Sequence, residues 1–146
     1  DDDYNSILNK CYLECPKLLM KSLKKLLKKN KIKGIVQKKI GKGFYCKKRV
    51  KGDEKINWSD NIHNIHNLIR GITYPAPCAQ SKVGPRKIFF IKSKKKSFNK
   101  STVSKYNYGE IVFFCNSFFD VCVKGGIIRI LRWKTNIKLY KGLILK

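Results

Sequence analysis

His63 and His66 stand three residues apart, a spacing that puts both on one face of a helix and within reach of one metal ion. No third ligand follows at a suitable spacing, so hydrogen-bonded or surface histidines are the expectation and no metal site is assigned. Cys11, Cys15, Cys46, Cys78, Cys115 and Cys122 form no CxxC pair, which argues against zinc. Four of the six lie in apolar runs, favouring buried free thiols of a reducing compartment over disulfides. Gly41-Lys42-Gly43 is too short for a nucleotide fingerprint, which needs a strand before it and a helix after. Asn57-Trp58-Ser59 and Asn99-Lys100-Ser101 match the glycosylation sequon, discounted because nothing marks a secretory context.

What remains is charge. Thirty-four Lys and Arg face nine acids, a net charge of +25, and only five of the cations are arginine. Such a field attracts a polyanion, nucleic acid first, although the Lys-, Asn- and Ile-rich composition of an AT-biased genome would supply surface lysines by itself. From Lys17 to Lys51 there are fifteen cations and no acid. Three groups are the candidates for phosphate contact: Lys24, Lys25, Lys28 and Lys29; then Lys42, Lys47, Lys48, Arg49 and Lys51; then Lys92, Lys94, Lys95 and Lys96. Phe89, Phe90, Phe113, Phe114 and Trp133 are either stacking surfaces for bases or, given the continuous apolar runs around them, core. A hydrophobic content of 42% supports a packed core and excludes a disordered chain. No apolar run approaches the roughly 18 residues of a membrane span.

These residues need elements to hold them. Asp1, Asp2 and Asp3 suit a helix N-terminus, and Ile7, Leu8, Cys11, Cys15, Leu18, Leu19, Leu23, Leu26 and Leu27 follow at helical spacing. Pro16 is expected to kink or restart that helix. One amphipathic helix cannot bury its own stripe, so residues 1–33 read as the end of a domain whose sheet lies upstream. Residues 34–55 read as a basic linker with one strand at Phe44-Tyr45-Cys46. A second helix starts at Ser59 and Asp60, carries the stripe Ile62, Ile65, Ile69 and Ile72, and stops before Pro75 and Pro77. Strands follow at residues 87–93, 109–116, 119–124 and 127–133, with a further one at 138–145. Lys92 to Lys100 are read as a loop, residues 119–124 as a strand with one buried face, and Gly125-Gly126 as a two-residue hairpin turn. Four or five short antiparallel strands suggest a small barrel of the OB type, making the chain α+β.

Ile56, Asn57, Trp58, then Ile69, Arg70, Gly71, then Tyr74, Pro75, Pro77, Cys78 and Ala79 give a Trp, a helix ending in Ile-Arg and a proline corner. This pattern resembles the start of the C-terminal domain of the folate-dependent formyltransferases, the group that contains methionyl-tRNA formyltransferase. There the pattern is Ile-Asp-Trp, Ile-Arg-Ala and Pro-Trp-Pro-Gly-Ala. This chain departs from it at Asn57, Gly71, Ala76 and Cys78. The resemblance covers nearly the whole chain and implies the end of a Rossmann-like catalytic domain (1–33), a linker (34–55) and an OB-like C-terminal domain (56–146). It implies structural roles for Trp58, Ile69, Arg70, Pro75 and Pro77, with Arg70 as a clamp on backbone carbonyls. The chemistry it implies is transfer of a formyl group from 10-formyltetrahydrofolate to the amino group of initiator methionyl-tRNA. The catalytic Asn, His and Asp belong upstream, so this chain alone is expected to be inactive, monomeric and a grip on the tRNA backbone. A sugar-nucleotide N-formyltransferase and a stand-alone basic nucleic-acid-binding barrel are the alternatives. The tRNA reading places the protein in a bacterial cytoplasm or in an organelle, mitochondrion or plastid.

Overall fold

The computed structural model describes residues 2–28, 43–96 and 104–146. Helix α1 (Tyr4–Lys28) opens on a reciprocal cap: Asp3 Oδ1 accepts from the Ser6 N–H at 2.9 Å, and Ser6 Oγ accepts from the Asp3 N–H at 3.0 Å. It runs through Pro16 without restarting, because an exposed helix loses one hydrogen bond there and water can serve the freed carbonyl. None of its residues is buried. Its leucine stripe finds no sheet among the described residues.

Residues 43–50 form no strand, and Phe44 and Tyr45 are fully in solvent, so the apolar island expected to pair does not. The chain enters the domain at Ile56, whose N–H donates to the Gln80 carbonyl. Helix α2 (Ile62–Gly71) is capped by Asn61 rather than Ser59 or Asp60: the Asn61 Oδ1 accepts from the Asn64 N–H at 2.9 Å. Ile62, Ile65 and Ile69 turn inward as their spacing requires, each burial contributing about 1.5–3 kcal/mol.

Five antiparallel strands follow: β1 (Ala79–Val83), β2 (Arg86–Lys96), β3 (Ile111–Phe114), β4 (Phe119–Val123) and β5 (Gly126–Thr135), in the order β1-β2-β5-β4-β3. Strand β1 carries no β-branched run and is not legible from its sequence; it forms because β2 offers it a complete ladder. β2 extends past the apolar residues 88–91 through Lys92, Lys94, Lys95 and Lys96, so these are strand residues and not loop. Lys95 and Lys96 pair with Ile128 and Ile127 of β5, and Ser93 with Ile130; the burial of these isoleucines fixes the ladder whatever faces solvent opposite. The β4–β5 turn is Lys124-Gly125, with Gly126 paired to Val123 as the first residue of β5. All five β4 residues are buried, not one face alone. Phe119, Val121 and Val123 face the core, while Arg129 and Lys96 cover Asp120, and Tyr106 lies over the Cys122 thiol. Only Cys78 and Cys122 among the cysteines are buried; Cys11, Cys15 and Cys46 are exposed because their helix and segment cover nothing.

Residues 142–146 add no named strand, yet they join the two sheet edges. The Ile111 N–H donates to the Leu143 carbonyl and the Leu145 N–H to the Gly109 carbonyl, while Lys146 exchanges backbone hydrogen bonds with Lys82 beside β2. Edge strands β3 and β1 are thereby both covered. Inside, Trp58, Phe90, Phe119, Ile69 and Ile128 share one core with α2.

Candidate nucleic-acid interface

The ladders decide which cations share a face. Lys92 is aligned with Arg132 at a bulge, the register shifting on both sides of it, while Lys94 lies opposite Arg129 and Lys82 opposite Lys87. Side chains directly opposed across a pair stand about 4.5–5.5 Å apart at Cβ, and like charges there destabilise the sheet. Arg129 is compensated. Its Nε donates to Asp120 Oδ1 at 2.7 Å and its Nη2 to Oδ2 at 2.9 Å, and its guanidinium lies 3.8 Å from the Phe118 ring centre. Asp120 pushes the Arg129 pKa further up. Lys96 also turns to Asp120, at 3.3 Å. Among the described residues neither Lys92 nor Arg132 has an ion-pair partner.

A cleft of about 330 Å³ is bordered by Lys92, Lys94, Lys95, Arg70 and His66 on one side and by Asp2 and Asp3 of the α1 entry on the other. Arg70 holds the entry in place: its Nη1 donates to the Asp2 carbonyl at 3.2 Å and its Nε to Asn67 Oδ1 at 3.0 Å. His66 is buried, with Nδ1 2.9 Å from Ser93 Oγ. Burial pushes its pKa down, and the nearby Lys95, Arg70 and His63 push the same way. His63 is exposed, with Nδ1 3.2 Å from the Lys95 Nζ. Among the described residues no group of His, Cys, Asp and Glu is arranged to hold a metal.

A second cleft, of about 620 Å³, runs from the outer face of β2 and β5 to the proline corner, with Tyr74, Phe89, Lys92, Arg132 and Lys134 on its walls. The corner is tied down from three directions. Thr73 Oγ1 donates to the Ile91 carbonyl at 2.8 Å, the Ala76 N–H to the Thr73 carbonyl, and the Cys78 N–H to the Ile72 carbonyl. Tyr74-Pro75 is cis, and Cys78 has φ +64, a conformation favouring glycine. That is the position where the resembled pattern has glycine. A third cleft, of about 580 Å³, is bordered by Lys51, Lys55, Lys82, Lys87 and Lys146. The Glu54 carboxylate on its wall is held below its usual pKa range by its own backbone N–H and that of Gly52, and it accepts from Gln80 Nε2 at 2.8 Å.

The structural motif residues sit where a framework role requires. Trp58 is buried, meets Phe90 edge to face at 5.4 Å, and donates from Nε1 to Ser81 Oγ, which donates to the Lys146 carbonyl. Ile69 is fully buried. Pro77 borders the second cleft. Of the candidate phosphate contacts, Lys92, Lys94 and Lys95 come together with Arg70, while Lys96 is engaged by Asp120. Lys47, Lys48, Arg49 and Lys51 are exposed on the entering segment. Lys24, Lys25 and Lys28 are exposed at the far end of α1, about 30 Å along the axis from its first turn. Lys29 and Lys42 lie outside the described residues. Arg132, Lys82 and Lys87 escaped the sequence reading because only the register shows that they face other cations, and Lys134 because only the register sets it across from Phe89. Of the aromatics, Phe90 is core, whereas Phe113 is half exposed and stacks on Phe118.

A family model described as formyl transferase, C-terminal domain, matches residues 48–139. A methionyl-tRNA formyltransferase of Thermodesulfovibrio yellowstonii is 32% identical over 95 residues, which are 64% of this chain and 29% of that protein. The chain therefore spans less than a third of the length of this relative. The crystal structure of a multiply substituted HypX from Aquifex aeolicus superimposes with a TM-score of 0.58 at 15% identity, over 93% of this chain and 23% of that one. At that identity the likeness is one of fold.

Proposed function

The chain belongs to the formyl transferase C-terminal domain family, and from that membership we propose that it is the tRNA-binding part of a methionyl-tRNA formyltransferase. The observation that carries this reading is the Lys92–Arg132 pair: two cations aligned at a bulge of the β2–β5 ladder on the wall of one cleft, neither with an ion-pair partner among the described residues. A sheet gains nothing by such a pair, whereas a phosphate held between the two is stabilised by both. The relative's name supplies the acceptor, methionyl-tRNA. In this reading residues 1–33 end the catalytic domain, 34–55 link it to the β-domain, and residues 56–146 position the tRNA backbone without reading its sequence.

The full-length enzyme would take its formyl group from 10-formyltetrahydrofolate. In this reading the catalytic residues belong to the upstream domain. The cleft that combines His66 with Asp2 and Asp3 has no asparagine among its described lining residues, and His66 is engaged with Ser93. Titration with initiator and elongator tRNA across a salt series tests the reading. Affinity is expected to fall linearly in log salt with a slope equivalent to several phosphates, and to differ little between the two tRNAs. A folded sample that binds neither at low salt would transfer the assignment to an amino-sugar acceptor.

A further inference from the structure

We propose that the cleft between the proline corner and the β2–β5 face holds one unpaired nucleotide of the RNA, its base stacked on Tyr74 and its phosphate between Lys92 and Arg132. This rests on the reading of an RNA partner and goes further, because a backbone grip needs cations and no aromatic ring. Tyr74 is 72% exposed, although a phenol ring left in water wastes apolar surface. Its backbone is nevertheless fixed, since the hydrogen bonds of Thr73 and Ala76 hold the chain on either side of it. A tyrosine on a fixed backbone has only its two side-chain torsions to lose when a base lies on its ring. The opposed cations supply the neighbouring charge, and Lys134, directly across from Phe89, extends it along β5. A cleft of about 620 Å³ is of the size that holds a small ligand such as one nucleotide. Bases within a duplex are already stacked and cannot enter, so the site selects unpaired RNA. Asp3 also borders the cleft, but its Oδ1 accepts from the Ser6 N–H and so caps α1.

The test compares a blunt RNA hairpin with the same hairpin carrying a short unpaired 3′ tail, each titrated with the 146-residue chain. The tail is expected to tighten binding. Tyr74→Ala should abolish that gain, weakening the tailed RNA about five- to a hundredfold and leaving the blunt one unchanged. Tyr74→Phe keeps the ring and should keep the gain. Because stacking releases no counterions, Tyr74→Ala should leave the salt slope intact, whereas Arg132→Thr lowers it for both RNAs. A tail that gains nothing, or a gain that survives Tyr74→Ala, overturns the proposal while the backbone reading stands. Failure of the wild-type chain to bind either RNA overturns both.

Discussion

Gly109 shows how closely the closing segment is packed. A Cβ at this position would stand 2.6 Å from the Leu145 carbonyl oxygen and 3.1 Å from Trp58 Cδ1, and its φ of +86 is one that side chains rarely adopt. The nearest obstacle is backbone, so it cannot rotate away. Gly109→Ala should cost about 2–4 kcal/mol, read as a lower urea midpoint by tryptophan fluorescence. An unchanged midpoint would mean that residues 142–146 sit less tightly than described. His66 carries a pH dependence whose sign follows from its surroundings. Burial and the nearby Lys95, Arg70 and His63 lower its folded pKa below the ordinary 6.5, so the unfolded chain takes up this proton first. Its contribution is therefore complete above about pH 6.5 and declines as the pH falls toward the folded value. His66→Gln should flatten the loss of stability between pH 7 and 5; an unaltered slope would assign the acid sensitivity elsewhere.

At the scale of elements, the β2–β5 ladder trades stability for charge. Replacing Lys92 or Arg132 with threonine removes a like-charge repulsion and introduces a good strand former, so each should raise stability by about 0.2–1 kcal/mol. The same substitutions should weaken tRNA binding. A loss of stability instead would show that one of these cations serves the fold. This ladder also marks the limit of what the sequence showed. Residues 88–91 announce a strand, but the lysines after them read as loop, because the isoleucines that hold them in register lie some 35 positions downstream. Helix α2 was legible, since Ile62, Ile65 and Ile69 report their own burial through spacing alone. β1 was not, because Ala79, Gln80 and Ser81 are buried by what packs on them and carry no pattern of their own. The site divided along the same line: charge content was visible, whereas the opposition of Lys92 and Arg132 is a property of pairing.

Across the whole molecule, the +25 charge is not gathered in one place. Cations stand along α1, on the entering segment and around the β-domain clefts, so binding at low salt should involve more phosphates than any single cleft accommodates. The fold beneath this charge depends on its last few residues. Removing residues 142–146 uncovers the β3 edge and the Lys82 end of β1, whose Gln80 stays paired with residues 54–56, and leaves the Trp58–Ser81 hydrogen bond without its Lys146 anchor. Light scattering should then report concentration-dependent association, while a truncated chain that stays monomeric would show the edges to be protected otherwise. Synthesis meets the same dependence on every round. The ribosome delivers β1 and β3 long before it delivers the stretch that seals them, and Lys82 must wait for a partner 64 positions downstream. The newborn domain thus passes through an interval with two adhesive borders, during which its own positive charge keeps neighbouring copies apart.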